Sequence, residues 1–259
     1  MKKKDIRLNE LIDLLRIEKK VPVKELGQRF NVTEMTIRRD IEILQSSNIV
    51  NLIHGIVFLN ESHASSDDSL DYLVIQQQSI HDDEKERIAK FAAKMVEPGD
   101  SIIVDIGTTT SKLIKFLPTN YPITLICFTV NSLVEALKKN FEKLMFSGGI
   151  YHPGNQVFES DETITFLENI RSSKVFMSAA GVCENLGITC INQNEVLLKK
   201  TSIKNAMVKI LLVDSSKFKV VKNAYFADLS DFDVIVTDNG ITDEWIDIID
   251  SFKIKLYIV

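Results

Sequence analysis

Seven apolar runs of strand length recur between residues 72 and 259 and constrain the fold more than any other feature. The runs are Ser101–Val104, Ile123–Cys127, Leu144–Phe146, Lys174–Met177, Ile210–Val213, Val234–Val236 and Ile254–Val259. Helical stretches lie between most of them and before the first: Glu84–Met95, Ser111–Phe116, Ser132–Lys139, Glu162–Asn169 and Glu195–Met207. Strand–helix alternation of this kind predicts an α/β domain with a mostly parallel, doubly wound sheet that helices cover on both faces.

Small, polar or charged residues follow five consecutive strands of the predicted sheet. In such sheets ligands bind beyond the carboxyl ends of the strands. One such loop is an ordinary capped turn, but five that converge on one edge indicate a binding site. The residues that we predict at this site are Asp105, Gly107, Thr108, Thr109, Thr110, Thr129, Asn131, Gly148, Gly149, Gly181, Asp214 and Lys217.

The chemistry of these loops favours a phosphorylated sugar or polyol as the ligand. Gly107 lets the chain turn tightly, so that free amide groups at the start of the next helix can face an anion, and the following threonines add hydroxyl donors. Lys217 supplies positive charge. Asp105 and Asp214 can accept hydrogen bonds from sugar hydroxyls.

A second signal, Asn31–Leu44, predicts the recognition helix of a helix-turn-helix. Its apolar residues recur at i, i+4 and i+7, which places them on one face. They are Ile37, Ile41 and Leu44. Thr33 stands at the N-cap position, and Arg38 and Arg39 fall between the apolar positions. A short helix with a buried stripe and two guanidinium groups on its free side can enter a major groove. The alternative is a helical bundle with solvated arginines.

The rest of this segment completes a winged helix-turn-helix. We predict helices over Asp5–Glu18 and Val23–Phe30, and a small β-hairpin, the wing, around His54 and Gly55. The residues that we expect to contact DNA are Thr33, Met35, Thr36, Arg38, Arg39 and His54. So small a head is expected to act in pairs on double-stranded operator DNA, which predicts a homodimer or homotetramer.

Charge and composition support two parts with different partners. Residues 1–59 hold 11 Lys and Arg and 8 Asp and Glu, a net charge of +3, so the other 200 residues carry −8. We predict a DNA-binding domain over residues 1–58, a linker over 59–71 and an effector-sensing domain over 72–259.

The chain shows no signal peptide and no membrane-spanning run, which predicts a cytoplasmic protein without membrane contact. Its three cysteines and four histidines lack metal-ligand spacing, so we expect neither a metal nor a cofactor.

The pattern of Arg7, Leu11 and Leu15 followed by Thr33-x-x-Thr36-Ile37-Arg38-Arg39-Asp40-Ile41 resembles the DeoR-type bacterial transcriptional repressors. The resemblance extends to Asp105-x-Gly107-Thr108-Thr109, Asn131-Ser132-Leu133, Ser147-Gly148-Gly149, Glu195 and Asp214-Ser215-Ser216-Lys217-Phe218. Two departures stand out. The wing reads Leu52-Ile53-His54-Gly55-Ile56, where the family usually has an arginine before His-Gly-Gly, and Val130 replaces a usual threonine.

The resemblance implies a sensor domain similar in fold to ribose-5-phosphate isomerase. Those isomerases carry acidic residues in one loop and a glutamate on the following helix. Here the loop reads Ser178-Ala179-Ala180-Gly181-Val182, and the helix offers Lys199 and Lys200 near the corresponding place. We therefore expect binding without turnover, with Lys200 as the first choice for a second phosphate contact; the alternative is that Lys200 is a surface lysine on an amphipathic helix.

These observations favour a sequence-specific transcriptional repressor of a carbohydrate-use operon that responds to a phosphorylated sugar or polyol. Two alternatives stay open from the sequence. The first is a sugar-phosphate isomerase with an accessory DNA-binding head, and the second is a DNA-binding protein whose larger domain only forms oligomers.

Overall fold

A helical head with a small antiparallel sheet forms the first unit of the chain. The computed structural model describes residues 3–18, 20–46, 49–53, 55–59, 81–152 and 155–259. These residues divide between two units, Met1–Ile80 and His81–Val259. The elements of the head are α1 (Lys3–Glu18), β1 (Lys20–Pro22), α2 (Val23–Arg29), α3 (Glu34–Ser46), β2 (Val50–Ile53) and β3 (Ile56–Leu59). The sheet order is β1-β3-β2, with both pairs antiparallel.

The core of the head follows the predicted apolar stripes. Its buried residues include Leu8, Leu11, Ile12, Leu15, Leu26, Ile37, Ile41 and Leu44. The three predicted helices and the wing hairpin are confirmed, whereas β1, a three-residue strand, was not predicted. β1 ties the wing to α2, because it pairs with β3 and because Val23 N donates a hydrogen bond of 2.9 Å to Gly55 O.

A seven-stranded, wholly parallel sheet is the centre of the second unit. Its strands are β4 (Ser101–Val104), β5 (Thr124–Cys127), β6 (Lys143–Phe146), β9 (Ser172–Met177), β12 (Ala206–Leu212), β14 (Val234–Thr237) and β15 (Lys255–Ile258). Their order in the sheet is β15-β14-β12-β9-β4-β5-β6. All seven predicted strands are therefore confirmed. The apolar runs gave a clear signal because a parallel sheet covered on both faces buries nearly every side chain of its strands.

Helices cover both faces of this sheet. They are α4 (Asp82–Ala93), α5 (Thr108–Phe116), α6 (Val130–Leu137), α7 (Asp161–Glu168), α8 (Val196–Lys204) and α9 (Asp243–Ser251). Side chains of α8 and α9 pack with Ile103 on one face, while those of α4 and α5 pack with Ile102 and Val104 on the other. Within the ranges given above, no helix combines the length and the apolar character that crossing a membrane requires.

One predicted helix end was wrong, and neither α9 nor the smaller strands were predicted. The helix expected to reach Met207 ends at Lys204, because the chain from Ala206 pairs with Ser172 and begins β12. A hairpin forms from β7 (Ile150–His152) and β8 (Val157–Glu159). The remaining strands make an antiparallel sheet: β10 (Gly181–Cys183), β11 (Gly187–Cys190) and β13 (Ala224–Ala227).

The strand order reverses direction between β4 and β9. From β4 the chain proceeds through β5 and β6 to one edge of the sheet, and from β9 through β12, β14 and β15 to the other. In open α/β sheets the crevice for a ligand lies at such a switch point, beyond the carboxyl ends of the two strands. Here those ends lead into Asp105 and Ser178.

Candidate functional site: a strand-end cluster and a helical DNA surface

The predicted strand-end residues separate into two clusters on opposite faces of the sheet. Asp105 follows Val104, so by strand alternation it lies on the face that α8 covers, and it contacts Lys199 of that helix. Asp214 lies on the other face, where its charge acts on Lys85 of α4. We refer to Asp105, Ser178, Glu195 and Lys199 as the Lys199 cluster, and to Lys85, Asp214 and Lys217 as the Lys85 cluster.

Asp105 is held by partners within the protein. Its Oδ2 lies 2.5 Å from Lys199 Nζ and accepts hydrogen bonds from Ser178 N at 2.9 Å and Ser178 Oγ at 3.0 Å. Lys199 Nζ also lies 3.3 Å from Ser178 O. Both charged side chains are buried. The expectation that Asp105 accepts sugar hydroxyls therefore has to be corrected at Oδ2, because three protein donors already occupy that oxygen.

Glu195 extends the Lys199 cluster towards the β7–β8 hairpin. Its Oε1 accepts hydrogen bonds from Asn155 Nδ2 at 2.8 Å and Asn192 Nδ2 at 2.7 Å, and its Oε2 lies 4.0 Å from Lys199 Nζ. Burial raises the pKa of Glu195, and the positive charge of Lys199 offsets this only in part. Burial alone would lower the pKa of Lys199, but the carboxylates of Asp105 and Glu195 raise it above its ordinary value.

The role of Lys200 as a second phosphate contact stays a prediction, and its position favours the alternative of a surface lysine. Lys200 is exposed, and its Nζ stands 5.1 Å from the centre of the Tyr225 ring. Lys199, in contrast, points inward and lies 5.0 Å from the ring of Phe226, the next residue of β13. The two lysines therefore lie over neighbouring residues of β13, and of the two it is Lys199 that contacts Asp105 and Ser178 at the strand ends.

Lys85 is a functional candidate that the sequence reasoning missed. It lies on the first turn of α4 and is 2% exposed. Burial lowers its pKa to about 8, while the opposing charge of Asp214 and the like charge of Lys217 also act on it. A signal was present in the sequence. Lys85 precedes Ile88, Ala89 and Ala92 at i+3, i+4 and i+7, so it lies on the apolar face of its helix.

The start of α5 has the features of an anion site. No side chain caps this helix, and its first residues, Thr108 and Thr109, are buried. First-turn amide groups lack partners within the helix, and the helix dipole favours negative charge there. Thr110 is not available as a hydroxyl donor, because its Oγ1 already donates to Asp105 O at 2.8 Å. Lys112 of the same helix pairs with Asp82 of α4 at 2.8 Å.

Gly107 is needed for a different reason from the one that we predicted. Its backbone is extended, a conformation open to any residue. A Cβ at this position, however, would lie 2.1 Å from Ser178 Oγ. Gly107 therefore allows the loops after β4 and β9 to approach each other at the switch point.

Other predicted residues serve local structure or lie elsewhere. Thr129 caps α6, where its Oγ1 accepts from Ser132 N at 3.2 Å, and Asn131 is half-buried in the first turn of that helix. A Cβ on Gly181 would meet Val220 O at 2.4 Å. Gly148 and Gly149 line a separate cavity of about 590 Å³ beside β6. Among the residues that the structure describes, no group of His, Cys, Asp or Glu could hold a metal ion.

The free side of α3 presents the predicted DNA-binding residues. Met35, Arg38 and Arg39 are exposed, on the side away from the buried stripe. Thr33 caps the helix, since its Oγ1 accepts from Thr36 N at 3.2 Å, and the two threonine hydroxyls lie 2.9 Å apart. His54 lies outside the described residues.

A buried ion pair fixes α3 to α1. Arg7 Nε donates to Asp40 Oδ2 at 2.6 Å, and Arg7 Nη2 donates to Asp40 Oδ1 at 3.3 Å. Asp40 is 2% exposed, and its hydrogen bond raises the pKa of Arg7. This bidentate geometry sets the orientation of the helix that carries Arg38 and Arg39.

Removing the acidic partner should loosen the head. We expect Asp40→Ala to destabilise it by about 2–3 kcal/mol, at the low end for a broken buried pair because Arg7 keeps some access to water. Amide hydrogen exchange in α3 measures the change. Glu42→Ala, at an exposed position of the same helix, is the control and should change protection by less than about 0.5 kcal/mol. Equal protection in the two variants would contradict a structural role for the pair.

Together, a winged helix-turn-helix and an α/β unit with charged groups at its strand ends define a DNA-binding transcriptional regulator with a sensor domain. Residues 7–63 match the family model of the DeoR-like helix-turn-helix domain, and residues 80–239 match that of the DeoR C terminal sensor domain. The chain belongs to the DeoR family of transcriptional repressors.

Characterised repressors align over nearly the whole chain. The deoxyribose operon repressor of Escherichia coli (strain K12) is 33% identical over 254 residues, which is 98% of each chain. The lactose phosphotransferase system repressor of Lactococcus lactis subsp. lactis is 31% identical over 241 residues, or 91% of each chain. The repressor of the same name from Staphylococcus epidermidis (strain ATCC 12228 / FDA PCI 1200) is 30% identical and covers 90% of this chain and 92% of its own.

Some solved structures align with about half of the chain at low identity. Ribose 5-phosphate isomerase A from Methanocaldococcus jannaschii is 21% identical, with a TM-score of 0.39, over 53% of this chain and 55% of that chain. Ribose 5-phosphate isomerase from Plasmodium falciparum is 14% identical, with a TM-score of 0.37, over 52% of each chain.

Proposed function

We propose that this repressor controls a carbohydrate-use operon and that a phosphorylated sugar or polyol regulates it by binding at the Lys85 cluster. The observation that carries the proposal is Lys85, a lysine that is 2% exposed at the carboxyl end of a parallel sheet. Burying an ammonium group is costly unless an anion or an acceptor compensates it. Asp214 and Asp82 act on Lys85 with negative charge and Lys217 and Lys112 with positive charge, and in this proposal a phosphate adds further negative charge to the site.

The ligand's two parts have separate candidate contacts. In this proposal the phosphate faces Lys85, Lys217 and the uncapped start of α5. Asp214 Oδ2 is buried and accepts no hydrogen bond from any residue that the structure describes, so it is the candidate acceptor for a sugar hydroxyl. Binding there has regulatory consequences only if the ligand prefers one arrangement of the paired heads over another. We propose a homodimer or homotetramer for this reason.

We infer that the ligand is bound without being turned over. Proton transfer between neighbouring carbons needs a carboxylate free to act as a base. The loop Ser178–Val182 carries no acidic residue, and Asp105 is held by Lys199 and Ser178. The remaining carboxylate, that of Asp214, is assigned in this proposal to holding a sugar hydroxyl. Conversion of ribose 5-phosphate by the purified protein would contradict the inference that the ligand is not turned over.

Operator DNA is cytoplasmic in bacteria, so the proposed function implies a cytoplasmic location for this chain.

Lys85 gives the binding of a phosphate ester a distinctive pH dependence. The free site holds a charged ammonium below pH 8 and a neutral amine above it, because its pKa is about 8. A bound phosphate favours the charged form, so affinity should fall as the pH rises above 8, and binding at pH 8 should take up about half a proton per ligand because half of the free sites are already charged. Calorimetry of an active sugar phosphate in two buffers of different ionisation enthalpy measures that uptake. Lys85→Arg, which stays charged, should take up none at this position.

The DNA surface of α3 gives a second prediction. Arg38→Ala should weaken binding to the operator by about 1–3 kcal/mol if Arg38 contacts a base edge, and by a similar amount at every sequence if it contacts a phosphate. Footprinting on DNA selected by the unaltered protein measures this. Glu42→Ala serves as the control on the same helix. Unchanged footprints with the Arg38 variant would remove α3 as the recognition helix.

A further inference from the structure

The first turn of α3 exposes a large apolar side chain. Met35 is 62% exposed, whereas Ile37 and Ile41 of the same helix are fully buried. Met35 stands at i−3 from Arg38 and i−4 from Arg39, so the three side chains share the free side of the helix. An unbranched thioether chain adapts its shape to an apolar partner and gains by being covered.

Two hydroxyl groups near Met35 are engaged in holding the helix. The hydroxyls of Thr33 and Thr36 pair with each other at 2.9 Å, and Thr33 also accepts from Thr36 N. The carboxylate of Asp40 pairs with Arg7. Beside the exposed carboxylate of Glu34, Met35 therefore offers a base edge an apolar contact in the first turn, and the second turn offers guanidinium groups.

We propose that Met35 recognises the 5-methyl group of a thymine in the major groove. This proposal rests on the operator binding described above and adds a specific chemical readout to it. Residues at the start of a recognition helix are those that reach base edges. Among the groups that base pairs display in the major groove, the thymine methyl is the apolar one. The i−3 and i−4 spacing places this thymine beside the group that Arg38 or Arg39 contacts.

Replacing thymine by deoxyuridine tests the proposal, since uracil lacks only the methyl group. The full-length protein first selects its operator from a random duplex library, and each thymine of the selected half-site is then replaced in turn. We expect one replacement to weaken binding by the unaltered protein about threefold to tenfold, in line with the burial of one methyl group and its neighbours. Met35→Ala should lose a comparable factor on thymine DNA and lose nothing further on the uracil duplex.

The outcomes separate this proposal from operator binding itself. Ile17→Ala, which also removes an exposed apolar side chain from the head, should keep the full sensitivity to uracil. If the unaltered protein binds its selected operator but every uracil duplex binds equally well, Met35 does not contact a methyl group and operator binding still stands. If Met35→Ala and the unaltered protein lose affinity by the same factor when thymine is replaced by deoxyuridine, the assignment of Met35 to the methyl group is overturned as well. Failure to select any sequence would contradict sequence-specific binding and this proposal together.

Discussion

Replacing Lys199 with methionine is expected to lower the free energy of unfolding of the second unit by about 3–5 kcal/mol. The change removes the cation that lies 2.5 Å from Asp105 and leaves the buried carboxylates of Asp105 and Glu195 without it. Lys199 Nζ lies 4.0 Å from Glu195 Oε2 but 2.5 Å from Asp105 Oδ2, so the main loss falls on Asp105. Urea unfolding measures the effect through the fluorescence of Trp245, the one tryptophan of the chain, which packs against Phe218 in this unit.

The neighbouring lysine provides a matched control. Lys200→Met removes the same charge from the same helix, but at an exposed position, and should change stability by less than about 0.5 kcal/mol. Adding Asp105→Asn to Lys199→Met should restore part of the lost stability, since a neutral amide needs no counter-charge. Equal effects of the two single lysine variants would show that the ion pair does not hold the switch point together.

Reversing the charge of Lys217 is expected to abolish the response to the effector while DNA binding persists. Lys217→Glu places a carboxylate where the proposed phosphate needs a cation. Binding should weaken about hundredfold or more, because charge repulsion adds to the loss of about 2–5 kcal/mol that follows truncation of one partner of a charge pair. Thermal shifts across a panel of sugar and polyol phosphates measure this. A ligand at 100 times its Kd stabilises the unaltered protein by about 2.7 kcal/mol, and that shift should vanish in the variant.

Two comparisons make this result specific. Lys200→Glu carries the same charge change at an exposed site over Tyr225 and should keep the full thermal shift. Operator affinity without ligand should be the same for both variants and for the unaltered protein. A normal effector response from Lys217→Glu would contradict the assignment of the effector site to the Lys85 cluster. A complete absence of thermal shifts in the unaltered protein across the panel would contradict it as well.

The sequence was sufficient to predict the three helices and the wing of the first unit and the seven strands of the parallel sheet. Apolar periodicity is a local property, and the seven strands and the helix of Arg38 and Arg39 carry it clearly. Errors arose where that signal was short or ambiguous. The three-residue strands β1, β7, β8 and β10 are too brief to show alternation. The junction of α8 with β12 was misread because pairing with Ser172, far away in the sequence, ends the helix.

The composition of the site could be predicted only as a set of strand-end loops. Gly107, Asp105 and Asp214 were recognised because a polar residue after a buried strand is a local signal. Their roles depend on partners from distant segments. Gly107 is required because a side chain there would collide with the hydroxyl of Ser178. Asp105 pairs with Lys199, which is 94 residues further along the chain.

Local patterns were enough to predict a DNA-binding head, a parallel sheet and an edge for a charged ligand, because each prediction follows from the order of a few residues. The tertiary structure alone decided which lysine reaches that edge. Helix α8 is buried on most sides, through Leu198, Thr201 and Ile203 among others, so periodicity could not separate Lys199 from Lys200. The tertiary structure also places Lys85 of α4 at the strand ends, since the packing of this helix against the sheet fixes the position of its buried ammonium group.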